Sequence, residues 1–328
     1  MKRREFIALA GGAAVLAPLA ARAESAVQVR RIGVLMNLSD GDPEVKRRLD
    51  AFLKSMSALG WNDGNNIHVD YRYGVDPQIV KKNAAELVAL APAVILANAP
   101  PTVLAVQQAT RTIPVVLAGV TDPVALGLVQ SLARPGGNVT GFSPAELGLS
   151  AKWLELLKEI APALKRVAVF RAASNPGSDP QVAAIEKAAR SLGVQIIMID
   201  VSDTAAMERG VAAFADSPDG GLIAIRTSED IAVRAEIIAL AERYRLPAVY
   251  PLRIFATGGG LVAYGPDIVQ EYREAAGYVD RIVNGAKPAD LPVQSASKFD
   301  LVINLKTAKQ LGLTIPPTLL ATADEVIE

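Results

Sequence analysis

The chain has no cysteine and a single histidine, His68, in 328 residues. The first lack excludes disulfides, thiol nucleophiles and cysteine-held zinc. The second leaves little material for acid–base chemistry near neutral pH. Neither sign of charge prevails, since 34 Lys and Arg stand against 34 Asp and Glu. That balance, with no long basic run, argues against nucleic acid as a partner. No G-x-G-x-x-G follows a strand pattern, and neither G-x-x-x-x-G-K-[ST] nor G-x-S-x-G occurs. Dinucleotide, P-loop and nucleophile-elbow chemistry therefore lack their usual loops. No catalytic residue, metal site or cofactor is assigned.

What is present begins with an address. "MKRREFIALAGGAAVLAPLAARA" has a basic start, an Ala- and Gly-rich apolar stretch and a terminal Ala21-Arg22-Ala23. This is the layout of a cleavable export signal, with cleavage expected after Ala23. Arg3-Arg4 resembles the twin-arginine motif, and an ordinary secretory signal is the alternative. The apolar stretch is too short to span a bilayer comfortably, and Pro18 interrupts it. Removing residues 1–23 takes away four basic and one acidic side chain, leaving 30 against 33. A periplasmic, mildly acidic protein is expected.

The rest alternates between strand and helix patterns. "RRIGVLMN" precedes a segment in which Val45, Leu49, Phe52, Met56 and Leu59 recur at helical spacing. Asp42 fits its N-cap, Pro43 its first position and Gly60 its stop. Strands are expected at "NIHVDYRY", "AVILAN", "PVVLAG" and "NVTGF", with helices at 77–91, 102–111 and 123–133. A second round follows a helix at 149–161, with strands "RVAVFR", "VQIIMID", "GLIAIR", "PAVY" and "GLVAYG" and helices at 181–192, 204–215 and 229–244. This is α/β architecture: two doubly wound, Rossmann-like lobes with mostly parallel sheets. A long helix over "DIVQEYREAAGYVDRIVNG" and a strand in "KFDLVINL" remain. They let the chain cross between lobes more than once, which makes a hinge.

In open parallel sheets the loops at the carboxyl ends of strands border the ligand crevice. In the first half these positions hold Asn37, Ser39, Asp40, Asn98, Thr102, Thr121 and Asp122. In the second half they hold Arg171, Ser174, Asn175, Arg226, Thr227, Tyr250 and Tyr264. They are hydrogen-bonding groups with few acid–base pairs, which suits recognition. Asp122 stays open between two roles, because Asp-Pro also stands at expected helix starts at 42–43 and 179–180. It caps the next helix, contacts a ligand, or does both. Arg171 and Arg226 either pair with acids such as Glu229 and Asp230 or meet a ligand's carboxylate. "PGGN" (135–138) and "GGG" (258–260) are tight turns or anion cradles.

The phrases "IPVVLAGVTDPVALGLVQSLARPGGNVTGFS", "GYVDRIVNGAKPADLPVQ" and "FDLVINLKTAKQLGLTIPPTLLATADEVIE" make the chain resemble the ABC-transporter substrate-binding family from about residue 29 to its end. Relatives include binders of tryptophan and other aromatic amino acids. The resemblance implies a type I periplasmic-binding-protein fold with three crossovers. It implies a first lobe of 29–144 plus 262–291 and a second of 145–261 plus 292–328. The chain departs from the family at Arg171 and Arg226, where uncharged or acidic residues are usual.

The expected function is that of an exported, non-enzymatic solute receptor. It closes on a small carboxylate-bearing ligand, an amino acid or aromatic acid, and serves an inner-membrane ABC permease as a monomer. A periplasmic ligand sensor and a Rossmann-like periplasmic enzyme are the alternatives.

Overall fold

The structure is a computed structural model that describes residues 29–144, 148–171, 178–295 and 298–328. Strands β1 (Arg30–Met36), β2 (Ile67–Tyr73), β3 (Val94–Asn98), β4 (Val115–Ala118) and β5 (Val139–Ser143) are interleaved with helices α1 (Pro43–Ala58), α2 (Pro77–Ala89) and α3 (Ala99–Ala109). After α4 (Gly148–Ile160) come β6 (Arg166–Arg171), α5 (Asp179–Leu192), β7 (Gln195–Asp200), α6 (Thr204–Ala215) and β8 (Gly220–Ala224). Helices α7 (Ser228–Ala232) and α8 (Arg234–Arg243) lead to β9 (Ala248–Tyr250), α9 (Arg253–Thr257) and β10 (Val262–Pro266). The chain ends with α10 (Ile268–Val283), β11 (Gln294–Ser295), β12 (Phe299–Asn304), α11 (Leu305–Leu311), α12 (Pro317–Ala321) and β13 (Glu325–Ile327).

Two sheets result. The first has the order β11-β5-β4-β3-β1-β2 and the second β13-β12-β10-β9-β8-β6-β7. All pairs are parallel except β10 with β12. Both lobes place their first strand between their second and third. In this doubly wound order the connections diverge there and leave a crevice at the strands' carboxyl ends. Strands such as β3 and β4 are buried along their whole length, as helices on both faces require.

The lobe boundaries differ from those the resemblance implied. β10 pairs with β9 and β12, so 262–266 belong to the second sheet, while β11 pairs with β5 in the first. The apolar run Leu261–Ala263 continues the second core. The crossing falls after it, at Asp267, which caps α10 by accepting from the Gln270 N–H at 3.0 Å. The amphipathic α10 then packs on α1 and the first sheet. There Trp61 Nε1 donates to Asp280 at 2.8 Å and Tyr272 contacts Met36 Sδ at 3.2 Å. The chain thus crosses between lobes after β5, after β10 and after β11.

Local signals explain most starts and two departures. Asp42 caps α1 through the Glu44 N–H at 2.9 Å, with Pro43 in the first turn. Asp76–Pro77 caps α2 in the same way. Residues 123–133 do not form the expected helix. Asp122 at φ 47° and Gly127 at φ 67° bracket a single turn instead, because left-handed residues end helical propagation. The expected helix at 229–244 breaks at Val233, whose φ −101° and ψ 23° separate α7 from α8. Among the described residues, no helix is long and apolar enough to cross a membrane. The proposed export signal lies outside them.

Candidate ligand-binding cleft

Both switch points face one cleft between the lobes. Residues of both lobes line it. On the first-lobe side, β1 and β3 end in Asn37 and Asn98, both buried. The Asn37 N–H donates to Asn98 Oδ1 at 2.6 Å. Asn98 therefore does not cap α3, which starts with Ala99 in the left-handed region at φ 61°. A residue bearing Cβ costs about 1–2 kcal/mol there, and such strain gathers at ligand sites. The end of β4 adds Ala118, Gly119 and Thr121.

The second lobe contributes Arg226, Thr227 and Ile231. Gln181 of α5 brackets the Arg226 backbone, its Oε1 accepting from the Arg226 N–H at 3.1 Å. The guanidinium crosses the cleft, donating from Nη2 to Thr121 Oγ1 and from Nη1 toward the Gly119 carbonyl at 3.5 Å. Behind Gly119 lies Glu271 of α10, whose Oε2 accepts from the Gly119 N–H at 2.8 Å. Burial lowers the Arg226 pKa to about 10, against the pull of Glu271 and with a push from Arg48. Arg226 therefore stays charged at neutral pH. Burial raises Glu271 to about 7, opposed by Arg226, the Gly119 N–H and Arg48. Glu271 is consequently only partly ionised near neutrality and balances Arg226 incompletely.

Of the residues singled out in the sequence, Asn37, Asn98, Thr121, Arg226 and Thr227 line this cleft. Ser39 and Asp40 are exposed on the β1–α1 loop. Thr102 is fully buried and bonds back to the Asn98 and Ala99 carbonyls within the first turn of α3. Asp122 caps its turn, with Oδ1 accepting from the Ala125 N–H at 3.0 Å. Arg171 lies 3.4 Å from Asp179 at the start of α5, away from the cleft. Tyr250 is buried, stacks on Phe255 at 5.0 Å and borders a separate cavity on the far side of the lobe. That packing explains "GGG": a Cβ on Gly260 would come within 2.5 Å of the Tyr250 ring. Tyr264 packs near Phe299, and its carbonyl accepts from Trp153 Nε1 at 2.7 Å. Ser174 and Asn175 lie outside the described residues.

Sequence reasoning missed Arg48 and Glu271. Arg48 is buried on α1, borders the cleft and sits 3.3 Å from Glu44. Both missed groups had a signal, since each interrupts an apolar helical stripe: Val45, Leu49 and Phe52 around Arg48, and Ile268, Tyr272 and Ala275 around Glu271. The cleft walls are aliphatic, with Leu38, Pro100, Leu126, Ile231, Leu252 and Ile268. A polar floor under apolar walls can hold a small molecule carrying one charged end.

Two doubly wound lobes, three crossovers and a shared cleft define a type I periplasmic-binding-protein fold. The chain belongs to the ABC transporter substrate binding protein family, whose profile matches residues 31–327. It is 26% identical over 273 residues to a tyrosine-binding protein of Clostridioides difficile, covering 83% of this chain and 78% of that one. A conserved domain protein of Vibrio cholerae superposes with TM-score 0.84 at 29% identity, over 91% of this chain and 99% of that one. An ABC domain from Streptococcus pneumonia in complex with L-Trp superposes equally well, with TM-score 0.84 at 26% identity, over 91% and 100%.

Proposed function

We propose that the chain is the exported receptor of an ABC importer. It closes on a small carboxylate-bearing ligand, an amino acid or aromatic acid, and hands it to an inner-membrane permease. Arg226 carries the assignment. Its guanidinium has five N–H donors in a planar fork, and the contacts to Thr121 and Gly119 leave donors for a bidentate carboxylate. An imperfectly balanced buried charge costs several kcal/mol. With Glu271 held near pKa 7 by burial, a ligand carboxylate completes that balance. Asn37, Asn98, Thr121 and Thr227 supply polar contacts, and Arg48 joins them. The aliphatic walls suit an apolar ligand body. The ligands in the names of the tyrosine- and tryptophan-binding relatives have this chemistry.

The test is mass spectrometry of small molecules released from protein purified out of its native periplasm. The expected species is an amino acid or aromatic acid, and the mature chain should begin at Glu24. Release of a stoichiometric neutral sugar would overturn the ligand class. A chain still beginning at Met1 would overturn the export assignment.

A further inference from the structure

Besides Arg226, a second arginine of the second lobe reaches the first. Arg234 opens α8 immediately after the break at Val233. Its Nη1 donates to the Ile231 carbonyl at 2.9 Å, which fixes the side chain's direction. Its Nη2 donates to Asp42 Oδ1 at 3.1 Å and lies 3.0 Å from Oδ2. Asp42 is the N-cap of α1 in the other lobe. The two side chains are 23% and 12% exposed, so water screens the pair only in part. Ile231, which anchors the arginine, is itself a wall of the cleft.

We propose that Asp42 and Arg234 form an inter-lobe clasp that sets how long the closed cleft holds its ligand. The inference rests on the hinge-closing receptor reading. Neither side chain lines the cleft, so the pair acts on the opening equilibrium and not on ligand contacts. An interaction made only in the closed state shifts population toward it. Its loss speeds dissociation, and association, which needs the open form, rises only with that form's population. The unbroken helix expected over 229–244 would carry residue 234 onward in the same helical path. The break after α7 makes Arg234 the first residue of a separate helix, facing the cap of α1.

The test uses Asp42→Asn, Arg234→Gln and the double variant of the full mature chain. Asn caps a helix about as well as Asp, so Asp42→Asn keeps α1 capped while removing the charge. L-tyrosine dissociation should be roughly tenfold faster in each single variant, the loss expected for a charged, partly buried pair. The double variant should be no faster than either single one. Small-angle scattering of the ligand-free variants should show a larger radius of gyration than wild type. Additive rate effects, or radii equal to wild type, would overturn the clasp. If wild type does not bind L-tyrosine, the proposed ligand class is in trouble, yet the ligand-free radii still decide the clasp.

Discussion

β6 and β8 lie side by side in the second sheet, each leads to an arginine, and the two arginines have different fates. The register pairs Phe170 with Ala224, the last residue of β8, so Arg171 still belongs to β6 while Arg226 lies two residues past the end of β8. Side chains alternate faces along a strand, and one step sends them to opposite sides. Arg171 falls on the face with Val169 and Ile225, where α5 packs, and meets Asp179. Arg226, beyond its strand, has its backbone held by Gln181 and its side chain in the cleft. Two strand-terminal arginines that read alike in sequence thus divide into a surface pair and a cleft group. Where the strand ends decides it, not residue type.

Neutralising the cleft arginine should have the largest effect. Arg226→Gln should weaken a carboxylate ligand by about 2–5 kcal/mol, the usual cost of removing one partner of a buried charged hydrogen bond, and flatten the salt dependence of binding. Calorimetric titration reads both.

Next in size is the counter-charge. Glu271 has its pKa raised by burial from 4.5 to about 7, so the fold favours its protonated form. Its contribution is complete below pH 4.5 and is lost as pH rises toward 7, on the order of 3 kcal/mol. Urea unfolding of ligand-free Glu271→Gln should lack that decline between the two pH values. Parallel pH slopes in variant and wild type would remove Glu271 from the electrostatic account.

Asp122 comes third. Its side chain caps a turn while its backbone sits at φ 47°, a region that Asp and Asn tolerate better than Ala. Asp122→Ala should cost about 1–2 kcal/mol in denaturant unfolding, and Asp122→Asn almost nothing. A marked loss of ligand affinity in the Asn variant would return Asp122 to the binding site. The smallest effect belongs to Arg171→Gln. It removes only a pair with an exposed Asp179 and should leave ligand affinity unchanged in the same titration.

Much of the architecture was legible in the residues. The alternation of apolar runs with capped helical stripes marked both lobes, and Asp42–Pro43 starts α1 as its chemistry dictates. The first-lobe switch point was legible too, since Asn37 and Asn98 follow from knowing which strands are parallel. What escaped was whatever depends on long-range partners. Tyr250 ends its strand at the expected place, but its ring turns to Phe255 and the space left by Gly260. The apolar spacing of 123–133 matches a helix, yet Leu128 and Val129 bury themselves against the sheet from a turn. Arg48 and Glu271 escaped because periodicity counts apolar residues and passes over a charge on the apolar face.

If Arg226 holds a carboxylate in the cleft, the protein must tell L-tyrosine from L-tyrosine amide, whose carboxyl end carries no charge. In calorimetric titration of the full chain the acid should bind and the amide at least about tenfold more weakly, a gap of roughly 1.4 kcal/mol. Equal affinity for acid and amide would mean that no carboxylate is held there.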